Sequence, residues 1–297
     1  MPDPSRRRIV VFGDVIDDIV VVPRGPIRVD TDTRSSIRKR AGGSAANAAA
    51  WMGVLGGVVD FVGVVGVDDV ARHSILLERA GVSPHLTGDP ELPTGTIVVI
   101  VEGERRTMLT ETGANTTMIP DAVGEDLLAS AALLHFTGYS LFGPGKLAAG
   151  ERLLRRCRAT GVQVSVDPGS AGFIADLGVE RFLDAVDGAT LIFPNLEEGR
   201  VLTGLTDQRA IVEALLDRFE IVALTLDTAG VVVGRRGHPL VEVAAVDTEI
   251  VDPTGAGDAF AAGFLTEWVR SSDVVRAARS GVSAGARAVA TIGARPV

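Results

Sequence analysis

A mostly parallel α/β sheet flanked by helices, carrying a small separate β-sheet, is the fold that this sequence predicts. Three observations predict it. Short apolar runs alternate with helical patterns over most of the 297 residues, the pattern of a parallel sheet covered on both faces. Several of those runs end abruptly at Gly or Asp, as buried parallel strands do. Two early segments break the alternation with extended, alternating character and no helices of their own.

Ile9–Phe12 reads as the buried first strand, ending at Gly13. Ser44–Leu55 is Ala-rich and follows Gly42–Gly43, so it reads as a helix; Val58–Val65 returns to strand, and Ala71–Ala80 is a helix stopped by Gly81. Leu133–Phe136 is a short strand, Lys146–Thr160 a helix, and Val162–Val166 a strand closed by Asp167–Pro168. Leu191–Phe193 with Leu196–Leu202, then Ile211–Phe219 with Ile221–Leu226, repeat the alternation, and two helices, Gly255–Val269 and Val274–Ala290, close the chain. The exceptions are Ile19–Val22 with the stretch around 27–37, and a hairpin of Thr96–Val101 and Arg105–Leu109 turning at 102–104. They are expected to form a β lid from roughly 19–38 and 94–112, on a single domain spanning 1–297.

Composition sets bounds. Hydrophobic residues make up 46% and aromatics 4%, so the core must be built from Val, Leu, Ile and Ala. The net charge of −9 and the scattered arginines argue against a nucleic-acid partner. Lys occurs only at Lys39 and Lys146, which makes a lysine-dependent phosphate loop hard to place. Cys157 has no partner for an internal disulfide and reads as a buried structural residue. No uninterrupted apolar run reaches membrane-spanning length, and Met1–Arg8 leads into a strand rather than a signal peptide. A cytoplasmic location and no membrane partner are the expectations.

In parallel sheets, ligands sit at the carboxyl ends of the strands. That directs attention to 14–18, Asp167, Asn195 and Asp227. The strongest chemistry lies in Asp252-Pro253-Thr254-Gly255-Ala256-Gly257-Asp258-Ala259-Phe260. Gly255, Ala256 and Gly257 expose backbone N–H groups at a helix N-terminus, where unpaired donors and the dipole favour an anion. Phosphoryl transfer needs such a site. Asp258, in the first helical turn, could accept the proton of an attacking hydroxyl. Taken alone, an Asp there would merely stabilise the helix start; the adjacent anion site gives it a purpose. Gly42-Gly43-Ser44-Ala45-Ala46-Asn47 again opens backbone before a helix, with Asn47 one turn on.

These stretches resemble the ribokinase (PfkB) family of carbohydrate kinases. Asp252–Phe260 matches the family's C-terminal pattern almost letter for letter, and Gly42–Asn47 its N-terminal pattern. Gly63-Val64-Val65-Gly66-Val67-Asp68 resembles the stretch after the second strand, with Ala71 where a glycine is usual, and Asn195-Leu196-Glu197-Glu198 matches the Asn-x-x-Glu element. All four stand in the family's order. The resemblance implies a ribokinase-like fold and ATP-dependent phosphorylation of a hydroxymethyl group on a sugar. It implies Asp258 as base, Gly255, Ala256 and Gly257 as anion hole, and Asn195 and Glu198 near Mg²⁺ and the ATP phosphates through water. It further implies Asp18 as the sugar-binding aspartate, completed by Gly42, Gly43 and Asn47. By chemistry alone Asp14 and Asp17 are rivals, although spacing to Gly13 favours Asp18. Arg106, in the hairpin, could also reach substrate.

Departures are informative. Thr225-Leu226-Asp227-Thr228-Ala229-Gly230 resembles the nucleotide-binding turn, but Asp227 stands where glycine is common. Its carboxylate is either turned away from the phosphates or weakens ATP binding. Gly169 sits where Asn is frequent. Some members bind a monovalent cation near Asp252, Thr254 and Gly293; here Val297 occupies a place where a hydroxyl ligand is expected, so K⁺ is an open expectation. A nucleoside kinase of pseudouridine or adenosine type is the alternative, with Phe12, Tyr139 and Phe142 available to stack a base. A phosphosugar kinase needs basic residues in the lid for the existing phosphate, for which Arg38, Arg40, Arg105 and Arg106 are the candidates. A non-catalytic sugar-binding regulator on the same fold is the rival from another class. A dinucleotide-binding oxidoreductase lacks its Gly-x-Gly-x-x-Gly after the first strand. A homodimer pairing two lids is expected, because a small sheet with an apolar face seeks a cover.

Overall fold

In the computed structural model, which describes residues 7–102 and 105–296, the chain forms two sheets. Gly103 and Glu104 of the expected hairpin turn, the Arg106 side chain and Val297 lie outside the described residues. In chain order the elements are β1 (Arg8–Phe12), β2 (Ile16–Pro23), β3 (Ser35–Gly42), α1 (Ser44–Val54), β4 (Val58–Gly66), α2 (Val70–Arg79), β5 (Val82–Asp89), β6 (Gly95–Glu102) and β7 (Arg105–Glu111). There follow α3 (Glu125–Ser130), β8 (Ala131–Thr137), α4 (Lys146–Thr160), β9 (Gln163–Asp167), α5 (Ala171–Leu177), α6 (Val179–Ala185), β10 (Leu191–Ile192) and α7 (Leu196–Thr203). The last are α8 (Gln208–Leu216), β11 (Ile221–Thr225), β12 (Val231–Arg235), β13 (Val241–Val243), α9 (Ala256–Ser271) and α10 (Val274–Val289).

The large sheet has the order β13-β12-β11-β10-β9-β8-β1-β4-β5. It is parallel from β5 across to β11, with β12 and β13 added antiparallel at one edge. β1 lies inside it and is buried on both faces. Because side chains alternate along a strand, Ile9 and Val11 enter one core while Val10 and Phe12 enter the other. The first core holds Trp51, Phe193, Phe260, Phe264 and Trp268 beneath α1, α9 and α10. The second holds Phe136, Phe182, Phe219 and Cys157 beneath α4, α6 and α8. Burial pushes the Cys157 thiol up to about 12, which keeps it protonated and inert.

The smaller sheet has the order β3-β2-β6-β7. Its strands reach further inward than their hydrophobic pattern suggests: β2 begins at Ile16 and β3 runs to Gly42, so both end in the site. The extended stretch expected over 27–37 is strand only from Ser35. Residues 24–34 form a loop closed by Arg24 N–H donating to the Arg34 carbonyl, with the Thr33 hydroxyl accepting from Arg28 N–H. α8 starts at Gln208 rather than Ile211, because the Asp207 side chain accepts from Ala210 N–H and caps it. β5, β12 and β13 add to the strands expected from the sequence: β5 pairs with β4, β12 with β11 and β13 with β12.

Candidate active site

The inner ends of both sheets, with the N-termini of α1, α7 and α9, meet in one cleft. Gly255 precedes α9 with φ +78°, and a side chain there would place Cβ 2.6 Å from Ala294 Cβ; only glycine serves. No side chain caps α9; Ala256 N–H donates to the Pro253 carbonyl at 3.3 Å, while the first turn is open to a ligand at Gly257. At Gly257 an added Cβ meets nothing within 4 Å, so the position faces open space.

Asp258 points back from the first turn of α9 towards α1. Ser44 Oγ donates to Asp258 Oδ1 at 2.6 Å and Asn47 Nδ2 to Asp258 Oδ2 at 2.9 Å. Three residues apart, Ser44 and Asn47 share one face of α1. Burial pushes the Asp258 carboxyl up to about 6; the Ser44 and Asn47 hydrogen bonds oppose this, the Asp14 charge adds to it, and Arg295 opposes it. A carboxylate that is ionised at neutral pH yet retains proton affinity is what a general base requires.

The three early aspartates have separate roles. Asp14 accepts from Ser44 N–H (2.8 Å) and Ala45 N–H (3.1 Å), so the N-terminus of α1 is already occupied by this carboxylate. Asp17 is held by both Arg72 Nη atoms, at 2.9 and 2.6 Å, and its carboxyl sits well below the usual range. Asp18 lies beneath Gly42. A Cβ on Gly42 would fall 2.2 Å from Asp18 Oδ2, so this contact exists only because position 42 is glycine. Burial raises the Asp18 carboxyl to about 7; Arg295 opposes the shift, while Asp14, Asp17 and Asp258 reinforce it. Gly43 turns with φ +94° against the Asp14 carbonyl.

Asn195 and Glu198 form a reciprocal cap on α7. Glu198 N–H donates to Asn195 Oδ1 and Asn195 N–H to Glu198 Oε2, both at 2.9 Å. Burial pushes Glu198 up to about 7. Asp167, at the end of β9, is raised by burial and by the charges of Glu198 and Asp258. A cavity of about 260 Å³ is lined by Ser44, Tyr139, Asp167, Asn195, Glu198, Gly257 and Asp258, among others. A second, of about 410 Å³, is lined by Thr225, Asp227, Gly230, Val246, Ile250, Phe260 and Val289, among others. The two share Thr225, Pro253, Ala256, Gly257 and Phe260, so they meet over the start of α9.

Thr225, Asp227 and Gly230 thus line the larger cavity. Asp227 itself has φ +48° at the turn between β11 and β12, the left-handed region where glycine is at ease. Asp252 Oδ1 accepts from Thr254 N–H and Oγ1, and Asp252 Oδ2 from Gly293 N–H at 3.0 Å. The Asp252 carboxylate therefore ties the C-terminal segment to the approach of α9. Phe12 is fully buried in the sheet and cannot stack a ligand. Tyr139 lines the smaller cavity, and Phe142 and Phe173 pack against its ring, with Phe173 at centroid distances of 5.8 Å from Tyr139 and 5.1 Å from Phe142.

Sequence reading passed over two groups. Ser44 sits inside a quoted stretch, and its hydroxyl could have been singled out. Arg295 carries no motif, and its Nε donates to Asn47 Oδ1 at 3.1 Å. The walls Val246, Ile250, Val282 and Val289 were also missed, because apolar residues outside a motif look like core.

Comparison with known proteins identifies the family. The family described as pfkB family carbohydrate kinase matches residues 6–297. An ATP-dependent ribose-1-phosphate kinase from Halopiger xanaduensis is 33% identical over 97% of this chain and 94% of that protein. An uncharacterized sugar kinase from Archaeoglobus fulgidus is 32% identical over 79% of this chain and 92% of that protein. Among solved structures, adenosine kinase from Sinorhizobium meliloti is 25% identical, with a TM-score of 0.88, covering 99% of this chain and 96% of that one. The chain belongs to the pfkB family of carbohydrate kinases, with a ribokinase-like fold, and is an enzyme of that class, for which ATP is the phosphate donor. Among the described residues, no helix is long and apolar enough to cross a membrane.

Proposed function

We propose that this kinase transfers the γ-phosphoryl group of ATP to a hydroxymethyl group of a sugar, with Asp258 as general base. The observation that carries this reading is the half-buried Asp258 carboxylate at the uncapped start of α9, where the two cavities meet. The larger cavity takes the nucleotide: Val246, Ile250, Phe260 and Val289 offer apolar walls for a base, and Thr225 and Gly230 line its inner side. The sugar lies between Asp18, Gly42–Gly43 and Asn47. Asp18 accepts from its hydroxyls, since a carboxylate has several lone pairs to offer.

Asp258 takes the proton of the substrate hydroxyl as that oxygen bonds to the γ-phosphorus. The bond from the γ-phosphorus to the bridging oxygen breaks, and ADP leaves with the electron pair. The anion hole of Gly255, Ala256 and Gly257 would meet the charge that develops on the moving group, so it acts most strongly when charge is greatest. The smaller sheet, continuous with Asp18 and Gly42, covers the sugar and limits water.

The residues fit Mg²⁺. Asp167 and Glu198 repel one another, and burial holds both carboxyls above their ordinary range; a divalent cation nearby would relieve both. Among the described residues, no group of three or more His, Cys, Asp or Glu side chains is placed to hold a metal. That suits an ion that keeps several waters and leans on phosphate oxygens. When bound it would neutralise phosphate charge, with Asn195, Glu198 and Asp167 holding its waters. Asp252 and Thr254 remain the residues through which K⁺ would act, by stiffening the approach to α9.

A nucleoside acceptor is the second reading, favoured by the cluster of Tyr139, Phe142 and Phe173 beside the cleft. A homodimer through the smaller sheet is also proposed, since Ile37, Met108 and Leu109 there are 63%, 57% and 57% exposed. Sedimentation giving a clean monomer would remove the dimer. The function is tested by coupled ADP release with ribose, fructose, 2-keto-3-deoxygluconate, ribose-1-phosphate, adenosine and pseudouridine, alongside Asp258→Asn. Turnover that depends on the acceptor and disappears in the variant supports the reading. Turnover that survives in Asp258→Asn removes Asp258 as the base.

A further inference from the structure

We propose that Arg295 belongs to the sugar pocket, where it locks Asn47 against Asp258 and gives its one remaining nitrogen to a neutral substrate hydroxyl beside Asp18. The inference rests on the kinase reading of this site and extends it to the C-terminal segment.

The backbone that delivers Arg295 is fixed at two points. Gly293 N–H donates to Asp252 Oδ2, and Trp51 Nε1 donates to the Ala294 carbonyl at 2.9 Å. The side chain then runs into the cleft. Its Nε donates to Asn47 Oδ1 at 3.1 Å and its Nη2 to the Gly42 carbonyl at 2.6 Å. Nη1 is buried and has no acceptor among the described residues. A guanidinium only donates, and a buried donor without a partner costs free energy. The pocket therefore holds an orphan donor next to the two glycines and the aspartate that would grip the sugar.

Arg295 also decides which way Asn47 faces. Because the guanidinium takes the amide oxygen, the amide nitrogen is turned to Asp258 Oδ2. Remove the guanidinium and the amide can flip, presenting an acceptor to a carboxylate. Arg295 thus acts on the base through Asn47, as a positioning residue, and on the substrate directly.

The charges around it select the ligand. Asp18, Asp14 and Asp17 act on this guanidinium, and Arg295 in turn acts on Asp258, while Arg72 is committed to Asp17 and Asp69. Arg40, on β3, packs its chain near Gly293. Asp167, Glu198 and Tyr139 line the neighbouring cavity, which Asp258 also borders. Carboxylates outnumber cations here, so an anionic group on the substrate would be repelled from this corner. A hydroxyl, which can accept from Nη1 and donate to Asp18, suits both partners.

The test compares wild type with Arg295→Gln and Arg295→Lys, using ribose, ribose-1-phosphate and adenosine as acceptors. Hydrogen bonds to charged groups set the expected size: KM for the neutral acceptor rises roughly ten- to a hundred-fold in Arg295→Gln. Arg295→Lys, which keeps the charge but not the fork, recovers part of the loss. In parallel, ¹³C-carboxyl NMR of the chain without substrate follows the aspartates through pH. Asp18 and Asp258 should both titrate higher in Arg295→Gln, because the opposing cation is gone. A purely structural tail anchor would lower the thermal midpoint and leave KM and titrations where they were; that result overturns the proposal. So does a loss confined to ribose-1-phosphate, which would make Arg295 a phosphate site. If wild type phosphorylates none of the three, the NMR arm still decides: unmoved Asp18 and Asp258 titrations sink the role of Arg295 independently of the kinase reading.

Discussion

Ser44 Oγ and Asp258 Oδ1 lie 2.6 Å apart although 214 residues separate them in the chain. That contact joins the start of α1 to the start of α9, and with Asn47 it saturates one edge of the carboxylate. Asp258 is therefore held in one orientation before substrate arrives. Such preorganisation is what a positioned base contributes to catalysis.

Asp258→Asn should lower kcat by roughly a hundred- to ten-thousand-fold. The nucleotide cavity does not depend on the carboxylate charge, so ATP binding by calorimetry should persist. A variant that loses ATP binding as well as turnover would show that Asp258 has a structural role instead.

Activity should fall as pH drops through the range set by Asp258, at about 6, and Asp18, at about 7. Both are raised carboxyls, and both must be ionised: one to take a proton, the other to accept from hydroxyls. Because Asp14, Asp17 and Arg295 couple to them, the acid limb of kcat/KM reports the group rather than one residue. An acid limb near the ordinary carboxylate range, about 4, would contradict the burial that shapes this site.

Gly257→Ala should separate stability from function. Ala is favoured over Gly in a helix by about 1 kcal/mol, and the new methyl meets no protein atom. The thermal midpoint should hold or rise. The same methyl projects where the two cavities meet, so phosphoryl transfer should drop sharply. Unchanged kcat in this variant would exclude the start of α9 as the transfer site.

Asp227→Gly should tighten ATP binding. It removes a left-handed non-glycine residue, a strain of about 1 kcal/mol or more, and takes a carboxylate away from the nucleotide cavity. A several-fold lower Kd for ATP in titration calorimetry is expected. A weaker or equal Kd would mean that the Asp227 carboxylate makes a favourable contact with the nucleotide.

Asp167→Asn should stabilise the free enzyme at neutral and alkaline pH. The folded state raises this carboxyl above its unfolded value of about 3.9. Folding therefore favours its protonated form, and stability is lost as pH rises from that unfolded value towards the folded one. Asparagine keeps an acceptor for the Gly169 N–H without the charge. The gain in thermal midpoint should be present at pH 8 and absent near pH 4. Equal gains at both would point to packing rather than ionisation.

Much of this was legible in the sequence for a physical reason. Ile9–Phe12 and Leu133–Phe136 are strands wherever they are placed, because a wholly apolar run must be buried on both faces. Gly255-Ala256-Gly257-Asp258 marks a glycine-rich helix start because backbone exposure before a helix is a local property. The lengths of β2 and β3 were not legible: Asp17, Asp18, Arg40 and Ala41 interrupt the apolar pattern at the ends where the strands serve the site.

The sequence by itself determined the alternation of strand and helix, and the glycine-rich start of α9 with Asp258 in its first turn, since each depends on neighbours within one or two turns. Spacing to Gly13 already favoured Asp18 among the three early aspartates; only the tertiary structure showed what holds the other two. Arg72 claims Asp17, the α1 N–H groups claim Asp14, and Asp18 is left under Gly42. It also decided that Arg295, distant in sequence and outside every motif, stands over Asn47. Burial and charge pairing are set by what folds against a residue, and those partners come from across the whole chain.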